Sequence, residues 1–559
     1  MSPGTLVRRS RGHGIAKGRD PMRNGSLTWA LLLVCGVGIT RFIFRSHYLY
    51  DIDSVNFGLA LRRFDPSVFQ PHPPGYFLYV YLGRLANTVI LDPNGALVAI
   101  SILASCGAAG MIYLLTEAWY GRGPAVASVL LFLASPLCWF HGTVALTYIV
   151  EAFFSALIGY LCWRAHAGES RLAIPASAAF AVAAGFRPST GLLLAPLWLA
   201  SIRRTHGFYR WLAIATTAGV VLAWFIPMAA AAGGIPAYFD SLAHLWLTVP
   251  GKRTFLANPW LAVARFLTIG WIFILCFGAA SALAFSRDAE PRPDQGGRTG
   301  FIWIWIGPGL LFFTFVFLNY VNSGYLLVLC PPVFAFLAVR VYQFVNSPRH
   351  RLLRWTAVAA GLAANCVFFA FAPVYCSYRG VREFERDLRT ISQDFRDKVD
   401  PQTTLIIGFD SHFLGYRHAG YYLPAFVTAQ YPEVDYPDGK RVFVMHGRDT
   451  QLLRRLDVGR FERFVFFPLP GGVEYAAYLD KIRARLPEGA LSTSTIGQRT
   501  AYTGPTSLIP LLFPATAGSS EAAVYTPLHH DRRCCIRVFT PMPPVFSNLL
   551  QPLDIDIGS

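Results

Sequence analysis

Apolar runs of membrane-spanning length recur along this chain, and they constrain its fold more than any other feature. A helix needs about 20 residues to cross about 30 Å of hydrocarbon. No water is available there to satisfy the backbone, so each run must close its own hydrogen bonds as a helix. The runs are Leu27–Phe44, Ala96–Thr116, Pro124–Phe140, Val144–Trp163, Trp211–Ala232, Trp260–Phe285, Phe301–Leu318, Tyr325–Phe344 and Trp355–Tyr375. Two further stretches are ambiguous: Tyr76–Leu91 is short and holds Arg84, and Leu172–Ala200 is long and interrupted at Arg187-Pro188. The composition agrees, with 54% hydrophobic and only 14% charged residues. The expectation is a mostly α, polytopic membrane bundle of about eleven transmembrane helices.

Basic residues set the orientation. Residues 1–26 carry Arg8, Arg9, Arg11, Lys17, Arg19 and Arg23 ahead of an apolar run that lacks a small-residue cleavage pattern. That reads as a signal anchor with a cytoplasmic N-terminus. The loop 45–75 then lies outside, and after about eleven crossings so does everything beyond 376. If both ambiguous stretches crossed once, Arg122, Arg164 and Arg171 would all be external. If Tyr76–Leu91 only dips into the bilayer and Leu172–Ala200 is a hairpin turning at Arg187-Pro188, those arginines become cytoplasmic. The positive-inside bias favours the hairpin. It also puts the turn from His141 to Glu151 on the face of the first loop. The arginines of Ser201–Arg210 and Asn346–Arg354 agree. The net charge of +17 is therefore scattered topology signal and forms no basic face for nucleic acid.

Three regions result: a basic N-terminus (1–26), a membrane domain (27–375) and an external C-terminal region (376–559). In the last, strand-like Leu405–Phe409, Arg441–Met445 and Arg463–Phe467 alternate with helix-like Asp449–Leu456 and Tyr475–Leu486, which predicts a small α/β domain. Gly471-Gly472 is too short for a phosphate loop. Most of the ten cysteines fall in apolar runs, and adjacent Cys534 and Cys535 offer neither zinc spacing nor a disulfide framework.

The chemistry-bearing residues cluster after the first membrane helix. Asp51 and Asp53 stand beside Tyr48 and Tyr50. Structurally, Ser54–Phe64 reads as an amphipathic helix with Asp53 as its N-cap, worth about 1 kcal/mol. Chemically, one carboxylate can take a proton from an acceptor hydroxyl while the other orients the acceptor or helps hold a divalent cation such as Mg or Mn. In an extended chain the two face the same way; in a helix they diverge. His72-Pro-Pro-Gly75 makes a rigid re-entry into the bilayer, with His72 either a structural hydrogen-bonding residue or a ligand for phosphate or metal. Glu151 opens an apolar run, and ionisable groups at membrane depth usually face a polar cavity. Asn319-Tyr-Val-Asn-Ser-Gly-Tyr325 offers amides and aromatics either to sugar hydroxyls or to an ordinary interfacial turn.

Asp53-Ser-Val-Asn-Phe-Gly58 followed by His72-Pro-Pro-Gly-Tyr76 resembles the polytopic C-type (GT-C) glycosyltransferases, in particular the protein O-mannosyltransferase and aminoarabinose-transferase superfamily. Members place Asp-Glu after the first helix and a basic residue with Pro-Pro at the loop's end. Asp53 matches their catalytic aspartate, Ser54 stands where they have Glu, and Asp51 supplies a carboxylate two positions earlier. The likeness continues through Gly121-Arg-Gly123, Ala134-Ser-Pro136, Glu151 and Gly185-Phe-Arg-Pro188 and covers roughly the first 200 residues.

The resemblance implies inverting transfer of a hexosyl or pentosyl group from a polyprenyl-phosphate donor to a lipid, glycan or protein acceptor outside the cell (inner) membrane. Asp53 would be the general base, with Asp51 and Glu151 assisting. Arg187, Lys252 or Arg253 would offset charge on the departing phosphate. His72, Asn319 and Tyr325 complete the candidate substrate contacts, and Asp51 with Asp53 is the place for a cation if one is used. A transporter or flippase of lipid-linked glycans is the alternative, but such proteins more readily show internal repeats, and no convincing repeat is visible. A scaffold would need far fewer helices as an anchor.

Overall fold

The computed structural model describes residues 21–248, 259–282, 297–318, 323–348, 350–431, 442–453, 458–468, 479–480 and 482–513. Lys252, Arg253, Asn319, most of Tyr475–Leu486, Gly471-Gly472 and the Cys534-Cys535 pair lie outside them.

The membrane region is a helical bundle: α1 (Pro21–Ile43), α2 (Ile52–Arg62), α3 (Phe77–Ile90), α4 (Pro93–Tyr120), α5 (Arg122–Leu133), α6 (Pro136–His141), α7 (Tyr148–His166), α8 (Ala173–Phe186), α9 (Pro188–Arg204), α10 (Gly207–Ala231), α11 (Ile235–Thr248), α12 (Trp260–Ala282), α13 (Arg298–Leu311), α14 (Cys330–Asn346) and α15 (Arg351–Phe371). Among the described residues seven helices are long and apolar enough to cross a membrane, so the chain is a multi-pass membrane protein. The expected total of about eleven crossings goes beyond those seven.

Both ambiguous stretches take definite shapes. α8 and α9 fold back on each other: Trp198 Nε1 donates to Ser177 Oγ at 2.8 Å, Trp198 stacks on Phe180 at 5.0 Å, and Gly191 abuts Ala184. Contacts that pair early with late residues define an antiparallel hairpin. It turns where Arg187 is extended and Pro188 starts α9, a position at which proline's missing N–H costs nothing. α3 begins beside His72 and ends just before Asn94, whose amide donates to the Ser46 carbonyl beyond α1 at 2.9 Å. Arg84 meanwhile donates to the Ala60 carbonyl of α2 at 2.9 Å. The residues on either side of α3 thus both lie close to the segment that follows α1.

Two sequence expectations are corrected. Pro124–Phe140 is broken into α5 and α6, because Pro136 holds Ser135 in an extended conformation and the Ser135 hydroxyl then caps α6. Asp449–Leu456, expected as helix, contains a strand. Gly447 and Arg448 both have positive φ, the geometry of a two-residue hairpin turn, and this pairs His446 with Asp449.

Arg41 of α1, fully buried, donates to the Leu133 carbonyl at 3.0 Å and the Phe132 carbonyl at 3.3 Å, at the end of α5. Its guanidinium lies 4.9 Å from the Trp139 ring.

The C-terminal domain opens with α16 (Tyr378–Lys398) and continues through β1 (Thr404–Gly408), α17 (Tyr416–Tyr422), β2 (Val427–Gln430), β3 (Val442–His446), β4 (Asp449–Leu453), β5 (Arg463–Phe466), β6 (Ser492–Ile496) and β7 (Arg499–Pro505). The sheet order is β4-β3-β2-β1-β5-β7-β6. β1 runs parallel to β2 and β5, and the outer pairings are antiparallel. The domain sits on the first loop. The Tyr422 hydroxyl accepts from Leu49 N at 2.8 Å, Glu385 accepts from His47 N at 2.5 Å, and Arg417 donates to the Val68 carbonyl at 2.8 Å.

Candidate active site

α2 starts earlier than its sequence suggests. Asp51, not Asp53, is the N-cap: it is extended, and its Oδ1 accepts from Asp53 N at 2.8 Å. Asp53 therefore stands in the first turn, where negative charge suits the helix dipole, and its carboxylate is released from capping. The two carboxylates consequently have different surroundings. Asp51 is buried, whereas the Asp53 side chain keeps 25% exposure, enough for a ligand to reach it.

His72 is the direct partner of Asp53. Its Nδ1 lies 3.3 Å from Asp53 Oδ1, and its Nε2 lies 3.0 Å from the Tyr76 hydroxyl. The Pro-Pro-Gly turn behind it is held from α10 and α11. Tyr238 donates to the Pro74 carbonyl at 3.2 Å, and a Cβ on Gly75, at φ +108, would come within 3.0 Å of the Met228 sulfur. Only glycine satisfies both the backbone conformation and that approach.

Arg187, at the tip of the α8–α9 hairpin, forms the second half of the site. Its Nη1 meets Glu151 Oε1 at 2.8 Å and Thr147 Oγ1 at 3.1 Å. Thr190 donates to the other Glu151 oxygen at 2.9 Å. The guanidinium lies 4.3 Å from the Tyr148 ring, 4.8 Å from Tyr325 and 5.7 Å from Tyr76. Tyr76 thus touches both the Asp53–His72 pair and the arginine. Of the residues singled out from sequence, Asp51, Asp53, His72, Glu151, Arg187 and Tyr325 converge on one face of the bundle.

The sequence reading missed the contribution of the C-terminal domain. The His412 carbonyl accepts from Ile52 N at 2.9 Å, and His412 Nδ1 faces Asp51 Oδ2 at 3.6 Å. Asp410 stands in the same loop, which follows β1. Its position follows from the fold and not from local sequence: β1 is flanked by parallel strands on both sides, and loops at the carboxyl ends of such strands are where α/β sheets place ligand sites. Tyr76 and Tyr148 were likewise not singled out, because an aromatic near an apolar run ordinarily reads as packing.

The electrostatics divide the groups. Burial raises the Asp53 carboxyl above its ordinary value, although the neighbouring His72 pulls it down. Burial lowers His72, against the pull of the neighbouring Asp53 carboxylate, which raises it. Burial also works against a charged His412, but contact with Asp51 and the charges of Asp53 and Asp410 raise it to about 9. His412 is therefore a cation at neutral pH.

This donor set does not fit a cation held between Asp51 and Asp53. One Asp51 oxygen caps α2 and the other faces the His412 cation. Among the described residues no group of three or more His, Cys, Asp or Glu is arranged to hold a metal.

A helical membrane bundle with a small C-terminal sheet domain is a GT-C-like fold. A solved structure that shares it is ArnT from Cupriavidus metallidurans bound to undecaprenyl phosphate, with a TM-score of 0.52 and 14% identity over 85% of this chain and 98% of that one. The same protein in its apo state gives a TM-score of 0.49 at 14% identity, covering 87% of this chain and 99% of that one. The Archaeoglobus fulgidus oligosaccharyltransferase tethered with an acceptor peptide gives 0.38 at 13% identity, covering 71% and 63%. No protein-family model and no curated protein matches the sequence.

Proposed function

We propose that this chain is an inverting glycosyltransferase that moves a sugar from a polyprenyl-phosphate donor to an acceptor on the outer face of the cell membrane. The observation that carries the reading is Asp53. It is a solvent-reachable carboxylate that does not cap its helix, paired with a histidine and set beside an aromatic-walled arginine. The fold shared with ArnT, solved with undecaprenyl phosphate, supports the donor class.

In the proposed step an acceptor hydroxyl oxygen attacks the anomeric carbon from the side opposite the phosphate, and the anomeric C–O bond to phosphate breaks. Asp53 takes the hydroxyl proton, for which its raised pKa is suited. His72 holds the Asp53 carboxylate in place. Arg187 faces the departing polyprenyl phosphate, where fixed positive charge stabilises what develops in the transition state. Glu151 becomes the residue that orients Arg187, since Arg187 and Thr190 occupy its oxygens. Tyr325 walls the same pocket. Lys252, Arg253 and Asn319 are retained as proposed contacts to phosphate and sugar. The arginine-rich turns around 203–210 and 347–354 would then be cytoplasmic.

The test is purified protein supplied with a panel of radiolabelled polyprenyl-phosphate sugars, comparing wild type with Asp53→Asn. Loss of the general base lowers transfer by about 10²- to 10⁴-fold with the melting temperature unchanged. Full transfer by a folded Asp53→Asn protein removes the assignment. Movement of intact lipid-linked glycan across vesicles without sugar transfer would favour a flippase instead.

A further inference from the structure

We infer that His412, supplied by the C-terminal domain, is a positioning residue for the transfer step, so that the site is complete only when that domain is docked; this rests on the transferase reading above. The loop carrying His412 leaves the end of β1, between the two strands parallel to it, and reaches the first residue of α2. There its backbone carbonyl accepts from Ile52 N at 2.9 Å. The imidazole then lies 3.6 Å from Asp51 Oδ2. That contact is an ion pair, longer than a hydrogen bond, and it holds one oxygen of a carboxylate whose other oxygen accepts from Asp53 N. The chain of contacts runs His412, Asp51, Asp53, His72, with no gap.

His412 is not a packed core histidine. Its side chain is 34% exposed, in contrast to the fully buried His418, whose ring lies against Phe384. The charged groups facing it are Asp51 and Asp53 of the first loop and Asp410 of its own loop, all acidic. A neutral side chain at 412 would leave Asp51 buried without a counter-charge. Asp51 would then turn toward water, and the first turn of α2 that aims Asp53 would loosen. His412 touches no reacting atom in this scheme; it acts through Asp51.

Two measurements on the full-length protein in detergent or nanodiscs test this. In transfer assays, His412→Ala and His412→Gln are expected to lower kcat roughly 10- to 100-fold, the scale of a misplaced catalytic group, with KM for donor and acceptor within about twofold and added imidazole restoring part of the Ala variant's rate. The Asp51→Asn/His412→Ala double variant is expected to be no slower than the worse single one, because the two act in series. In hydrogen–deuterium exchange, the peptide covering residues 49–57 is expected to exchange at least about tenfold faster in His412→Ala, while peptides of β1 and β5 are unchanged.

Wild-type kcat in His412→Ala, or losses that multiply in the double variant, overturn the inference. So does a rise in KM alone, which assigns His412 to binding. If wild type moves no sugar from any donor, the transferase reading fails by itself. Exchange then decides separately, and unchanged protection of 49–57 overturns the positioning role.

Discussion

Arg187 and Glu151 illustrate how a single residue pair constrains the chemistry. Both side chains are nearly closed to solvent, at 6% and 5%, so each depends on the other. Removing one partner of such a pair costs about 3–5 kcal/mol because a charge is left buried alone. Glu151→Gln is therefore expected to lower the melting temperature sharply, and Glu151→Gln/Arg187→Gln to lose less than the sum of the single changes in a double-mutant cycle. The Asp53–His72 pair predicts a pH effect. A general base works ionised, so transfer is present above the Asp53 pKa and lost as pH falls through it, at a higher pH than for an ordinary carboxylate. His72 pulls that pKa down, so His72→Ala should move the acid limb of the kcat/KM profile upward; an unmoved limb contradicts the pairing. Asp53 was legible in the sequence because its spacing to His72-Pro-Pro-Gly75 is local. The exchange of roles with Asp51 was not, since helix starts shift by a residue or two without changing the pattern. His412 had no local signal toward Asp51 at all.

At the scale of elements, close helix approach is the controlling feature. α7 meets α13 at Gly159, where a Cβ would stand 1.8 Å from the Trp305 ring. Trp305 is fully buried and donates to Ser155 Oγ at 2.9 Å. Gly159→Ala must push the helices apart, costing about 1–3 kcal/mol by overpacking, and a thermal-shift assay in detergent should show it; Gly110, with open space around it, is the matched control. The α8–α9 hairpin could be read from charge and from Arg187-Pro188, because arginine placement and proline geometry are both local. The β3–β4 hairpin could not. Asp449–Leu456 has helical composition, and what overrides it is the Gly447-Arg448 turn together with pairing to Val442–His446, a tertiary effect that propensity does not carry.

At the scale of the molecule, the charge pattern predicts sidedness. Single cysteines placed at Ser189 and Ser347 in a background without native cysteines should label from opposite sides of sealed vesicles, with Ser347 facing the cytoplasm; labelling of both from one side refutes the arrangement. The C-terminal domain also has a bearing on how the protein is made. Leu49 and Tyr422, joined by a hydrogen bond, are 373 residues apart, and Ile52 meets His412 across a similar interval. Because domains form in the order of synthesis, the first loop is made long before the residues of the C-terminal domain that hold Leu49, Ile52 and the second oxygen of Asp51. A chain that stops between α15 and β1 has its whole helical bundle but lacks the loop that meets Ile52 and Asp51, so the proposed activity is expected only from chains extended past His412.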